Sequence, residues 1–171
     1  MINFAYFITR LAHNAEPICA LVQGITEEQA RWKPSPAEWS ILEVINHLYD
    51  EEREDFRARL DLLLNHPGQP WPANDPEGWV VERQYNRRDP ETSAQNFLVE
   101  RQRSLAWLKT LSAPDWDVFY TFPSGYKLSA GDLLASWLAH DCLHLRQLAE
   151  LHWKYTALLA QPYRVDYAGP W

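Results

Sequence analysis

The chain has little of what would tie it to a membrane, to nucleic acid or to a disulfide framework. Two cysteines, Cys19 and Cys142, in 171 residues build no framework, and a reducing cytoplasm is the expected location. No apolar run approaches the roughly 18–20 residues that span a bilayer, so no membrane association is expected. The start, Met1-Ile2-Asn3-Phe4, lacks a basic segment leading into an apolar one and does not read as a secretory leader. The net charge is −7 and there is no Lys/Arg block, which argues against nucleic acid as a partner because phosphate neutralisation needs a basic patch. Sustained period-2 alternation is missing too, which excludes a large sheet.

What is present reads as one globular domain, residues 1–171, with 46% apolar and 23% charged residues. The twelve prolines partition it, because proline interrupts helices. The intervals 37–66, 91–113 and 124–161 are free of proline, as is 1–16 ahead of Pro17, and all read helical. The second helix has the clearest start: Ser40 with Glu43 forms a capping box, and Ile41, Val44, Ile45 and Leu48 follow at helical spacing to about Asn65. Asp89-Pro90 opens the third, and Ser129 with Asp132 opens the last, which runs to about Leu159. A first helix covers roughly 2–23, where Pro17 is expected to kink or split it. A short turn of helix is expected after Thr26, another helix near 79–86, and a hairpin or extended loop within 114–128. Four long amphipathic helices with irregular connections make an all-α four-helix bundle. Nine tryptophans, among them Trp39, Trp107, Trp137 and Trp153, are expected in its core.

Chemistry, if the chain carries any, rests on its six histidines: His13, His47, His66, His140, His144 and His152. His140 and His144 are four apart and share a helix face, the spacing with which one helix offers two imidazoles to one ion. The string His140-Asp141-Cys142-Leu143-His144 has the outline of the His-Glu-x-x-His zinc proteases, but Asp is a methylene shorter than Glu and no third histidine follows a glycine turn, so a peptidase is a poor reading. A di-iron bundle needs Glu-x-x-His on two helices, and only Asp141–His144 has such a spacing. His47 sits mid-helix beside the apolar stripe and can turn inward. With His140 and His144 it would make a three-nitrogen site with open positions, suited to Zn, Ni, Fe or Mn. Glu51, one turn beyond His47, is a candidate to hold that ring, a solvated residue, or a fourth ligand. Gln147, on the site face of the last helix by spacing, and Asp141, about 100° off it, are candidates to hold the ligands of that helix. Cys142 should face away from the site and pack. Cys19 reads as core, His13 as an outside candidate, and His66 and His152 as lying off the site. Arg101 and Arg103 read as surface ion pairs, with an Arg facing a substrate anion as the alternative.

Two stretches resemble a known family. Trp39-Ser40-Ile41-Leu42-Glu43-Val44-Ile45-Asn46-His47-Leu48 is similar to the helix-two motif of the DinB/YfiT-like superfamily. Leu133 through Gln147, with His140, Asp141, His144 and Gln147, is similar to its last-helix motif. The resemblance implies a four-helix bundle with an unusual order of helix directions and one divalent metal ion held by His47, His140 and His144. It implies transfer of a low-molecular-weight thiol, such as bacillithiol, mycothiol or glutathione, to a small electrophile. A non-catalytic metal-bound stress-response or binding module and a metal-dependent hydrolase are the alternatives. It also implies a homodimer, to which the aromatic tail Tyr163–Trp171 would add apolar surface.

Overall fold

A computed structural model describes residues 3–171; the expected first helical residue, Ile2, lies outside them. Helix α1 spans Phe4–Ala20, α2 Glu27–Arg31, α3 Ile41–Asp50, α4 Arg57–Asn65, α5 Pro76–Glu82, α6 Pro90–Leu108 and α7 Ala130–Leu159. Strands β1, Phe119–Thr121, and β2, Lys127–Ser129, pair antiparallel as a hairpin. Both capping boxes form: Ser40 and Glu43 cap α3 reciprocally, and Ser129 and Asp132 cap α7. Asp89 caps α6 with Pro90 at its first position.

Pro17 does not split α1. It stands in the last turn, where few helical bonds follow it, and the buried Ile18, Cys19 and Val22 beyond it hold the segment to the bundle. The helix expected near 79–86 starts earlier, because Asp75 caps it and Pro76 takes its first position; a separate 3₁₀ turn, Tyr85–Arg87, follows a left-handed Gln84. The helix expected from Ser40 to Asn65 is interrupted by a π-helical segment, Glu51–Phe56, between α3 and α4.

The bundle consists of α1, the α3–π–α4 rod, α6 and α7. Its interior is two apolar cores with a polar layer between them. One core holds Ile18, Ile45, Leu48, Phe97 and Leu148 with their neighbours; the other holds Leu11, Phe56, Leu60, Leu108, Leu134 and Trp137. Each rod crosses from one core to the other through buried polar residues: Asn14 on α1, His47, Asp50, Glu51, Glu52 and Asp55 on the α3–π–α4 rod, Glu100, Arg101 and Ser104 on α6, Asp141 on α7. The order of crossing gives the helix directions. α1 and α7 run from the second core to the first, and the α3–π–α4 rod and α6 run from the first to the second. Two consecutive parallel rods require the chain to return along the bundle, which accounts for the long proline-rich connection 66–89. Among the described residues, no helix is long and apolar enough to cross a membrane.

Candidate metal centre

The polar layer brings together the three histidines that the sequence singled out from α3 and α7. His47 Nε2 lies 3.2 Å from His140 Nε2, and His144 Nε2 lies 3.0 Å from the same atom. The ring centroids are 4.3–5.2 Å apart. Among the described residues this is the one group of three or more His, Cys, Asp or Glu side chains with ligand atoms so close, all within 4.8 Å.

All three rings are held neutral. Burial, with His144 and His140 adding to it, pushes His47 from 6.5 down to about 2. Burial, then His144 and Arg101, pushes His140 down to about 3. Burial lowers His144 as well, opposed by Gln147 and Asp141. Gln147 Oε1 lies 2.8 Å from His144 Nδ1. An amide oxygen only accepts, so the proton of His144 sits on Nδ1 and its Nε2 presents a lone pair to the cluster. Nitrogens crowded at this separation repel unless a proton or a cation stands between them. Metal–nitrogen bonds of about 2.0–2.1 Å place neighbouring ligand nitrogens roughly 2.9–3.4 Å apart, so the separations of His47 and His144 from His140 match those around a divalent ion, and the three neutral imidazoles fit it in chemistry.

The rings are packed from several sides. Trp39 lies 4.9 Å from His47 and Phe56 5.1 Å from His140, centroid to centroid. His144 and Gln147 line a cleft of about 360 Å³ together with Trp39, Glu38, Glu150, Leu151 and Lys154. At its rim Lys154 Nζ is paired with Glu38 at 2.7 Å and Glu150 at 3.0 Å. Trp39, expected in the core, is half-buried and forms a wall of the cleft. Trp107 and Trp153 are half-buried as well, and Trp137 is the one of the four that is fully enclosed.

Gln147 therefore stands where the helical spacing put it, and Asp141 lies off the site face as its spacing implies; Glu51 does not face the site. Glu51 is 5% exposed, so it is not a solvated residue, and it is not part of the histidine cluster. It does not hold His47 either, since His47 Nδ1 has no hydrogen-bond partner among the described residues. It packs instead against Asp55, Asn74 and Arg59, and burial beside the Asp55 charge raises its carboxyl from 4.5 to about 8. Asp141 points away from its neighbouring histidines to accept from both terminal nitrogens of Arg101, at 2.7 and 2.8 Å, and from Asn14 at 3.3 Å. Arg101 is thus neither a surface residue nor open to a substrate anion, being 1% exposed; Arg103 is exposed and pairs with the buried Glu100 at 3.0 Å.

The remaining candidates fall outside the cluster. His13 does not join it. His66 closes α4 near Asp61, and His152 is engaged with Leu21 O and Gln29. Cys19 is core, its thiol pushed up to about 11 by burial. Cys142 faces away from the site as expected, but into solvent rather than into packing.

The chain belongs to the DinB superfamily, which it matches over residues 11–148. Its fold is similar to that of YfiT from Bacillus subtilis, at a TM-score of 0.80 and 18% identity, covering 91% of this chain and 90% of that one. That protein is described as a probable metal-dependent hydrolase with an unusual four-helix bundle topology. No curated protein matches the chain. Fold and family thus agree with the bundle and the run of helix directions, and the three-histidine cluster is consistent with a metal site.

Proposed function

We propose that this chain is a divalent-metal-dependent hydrolase of a small molecule, with His47, His140 and His144 as the metal ligands. One observation carries the reading: three neutral imidazoles come together behind a cleft that His144 lines, and among the described residues no fourth His, Cys, Asp or Glu joins their cluster. Closed four-ligand sites are structural, and three-ligand sites leave positions for water and substrate. The description of YfiT as a probable metal-dependent hydrolase supports the same chemistry. A divalent ion held here would supply Lewis acidity and make water a nucleophile at neutral pH.

The chain's own groups serve that chemistry in definite ways. Gln147 keeps the His144 proton on Nδ1 and the ring in one orientation. Trp39 and Phe56 cover the His47 and His140 rings, excluding water from their sides and holding them neutral. Trp39 and Leu151 offer the substrate an apolar surface, and the Lys154–Glu38–Glu150 group gives the rim both signs of charge. These features fit a small polar substrate in the cytoplasm, and none requires nucleic acid or membrane.

The test is turnover by protein purified without a nickel column and loaded with Zn, Mn or Ni. Panels of small amides and esters are assayed beside transfer of a low-molecular-weight thiol to an electrophilic arene. Hydrolysis that His140→Ala abolishes supports the proposal. Thiol transfer without hydrolysis replaces it with the thiol chemistry that the resemblance implies, since thiolate also binds such an ion. Metal binding without turnover on either panel favours the non-catalytic module.

A further inference from the structure

Behind the three histidines lies a second buried assembly, and its centre is Arg101. We infer that Arg101 is a positioning residue for the histidine site: its guanidinium fixes the π segment that follows His47 to the helix that carries His140 and His144. The inference rests on the metal-site reading above and adds the group that builds it.

The geometry is closed on all sides. Arg101 Nε donates to Glu52 Oε1 at 2.8 Å, Nη1 donates to Asp141 Oδ2 at 2.8 Å and to Leu11 O at 2.8 Å, and Nη2 donates to Asp141 Oδ1 at 2.7 Å. One planar group on α6 thereby joins α1, the π segment and α7. Both carboxylates it holds are chain neighbours of the site. Asp141 directly follows His140 and precedes His144 by three residues, and Glu52 follows His47 by five. A second path runs through packing. Glu52 Oε2 accepts from Trp137 Nε1 at 2.9 Å, the Trp137 indole stacks on Phe56 at 5.6 Å and 7°, and Phe56 touches the His140 ring. A movement of Arg101 is therefore passed to both elements that supply imidazoles.

Charge points the same way. Arg101, Glu52 and Asp141 are 0–1% exposed and together carry one negative charge in excess. An ion pair buried this deeply gains little stability over an apolar replacement, so stability alone is a weak reason for the assembly. A net negative charge behind three neutral imidazoles complements a divalent cation, which such ligands leave uncompensated. The π segment falls in the same place. Its extra residue per turn brings Glu52 into the interior beside Trp137 and Arg101, and π turns recur at functional sites.

The experiment is titration of the chelator-stripped protein with Co²⁺, read by the visible ligand-field spectrum, beside melting of the same metal-free samples. The variants are Arg101→Lys, which keeps the charge and loses the planar fork, and Asp141→Asn, which keeps the shape and loses the charge. Arg57→Met is the control, because Arg57 pairs with Glu100 and Ser104 on the same helix without touching Glu52 or Asp141. Both site variants are expected to bind Co²⁺ roughly 10–100-fold more weakly, with a shifted spectrum, as loss of a group supporting metal ligands does. The control should melt lower yet bind within about threefold of wild type. Should Asp141→Asn fail to fold, Arg101→Lys carries the test. Folded site variants with wild-type affinity and spectrum overturn the inference and leave the metal site standing. A site variant and a control that lose affinity in step with melting temperature also overturn it. A wild-type protein that binds no Co²⁺ removes the metal reading itself, and the inference with it.

Discussion

Acid should destabilise the metal-free protein through its three imidazoles, and the size of the effect follows from their burial. His47 is held at about 2 and His140 at about 3, and His144 is lowered, against 6.5 in the unfolded chain. Below about 6.5 the unfolded chain takes up protons at these rings that the native state refuses, so stability falls with falling pH. Glu51 acts in the opposite sense. Its carboxyl is raised from 4.5 to about 8, so between those values the native state holds a proton that the unfolded chain has released. Asp55, also raised by burial, adds in the direction of Glu51. From pH 8 to about 6.5, acidification therefore stabilises the fold. Below 6.5 His47 and His140 together outweigh Glu51 by about one proton, a loss on the order of 1 kcal/mol per pH unit, with His144 adding to it and Asp55 opposing it. Over two pH units that is an appreciable part of a typical stability of about 5–15 kcal/mol. Urea unfolding in chelator from about pH 5 to 8 should give a maximum near 6.5, and Glu51→Gln should flatten the alkaline limb and steepen the acid one. A profile that is level between about pH 7 and 5 would refute the reasoning, because it requires rings that protonate as freely folded as unfolded.

Three further outcomes are expected. Gln147→Leu should raise the dissociation constant for Zn²⁺ roughly 10–100-fold in calorimetric titration, because His144 loses the acceptor that sets its tautomer. Trp137→Ala should cost about 3–5 kcal/mol in urea unfolding, since it empties a fully buried site and leaves Glu52 Oε2 unpaired, whereas Trp137→Phe should cost much less. We further propose a homodimer: Leu143, Leu158, Leu159 and Tyr163 leave apolar surface exposed along α7 and just beyond it, and light scattering should give twice the chain mass at micromolar concentration, a monomer refuting it.

Much of the bundle could be read from local signals. Ser40 with Glu43, Asp89 with Pro90 and Ser129 with Asp132 are caps whose hydrogen bonds close within three residues, so sequence alone specifies them. The pairing of His140 with His144 is equally local, being helical periodicity. What escaped depends on contacts far apart in the chain. Arg101 reads as a surface residue from its own neighbourhood, and only the approach of Glu52, Leu11 and Asp141 buries it. The π segment had one signal: the apolar stripe lapses at Glu51-Glu52-Arg53-Glu54-Asp55, and an acidic run in a helix that must cross the interior asks for buried partners. Glu51 was misplaced for the same reason, since Asn74 reaches it from the proline-rich return. Trp39 looked like core because a tryptophan at the start of a helix usually is; its place in the cleft wall follows from where α7 lies.

The central claim is that His47, His140 and His144 hold one divalent ion. It is tested most directly by calorimetric titration of Zn²⁺ into chelator-stripped wild type and the six single His→Ala variants. One ion per chain is expected for wild type, His13→Ala, His66→Ala and His152→Ala. A severe loss of affinity is expected for His47→Ala, His140→Ala and His144→Ala. Wild-type affinity in folded His47→Ala would contradict the three-histidine site.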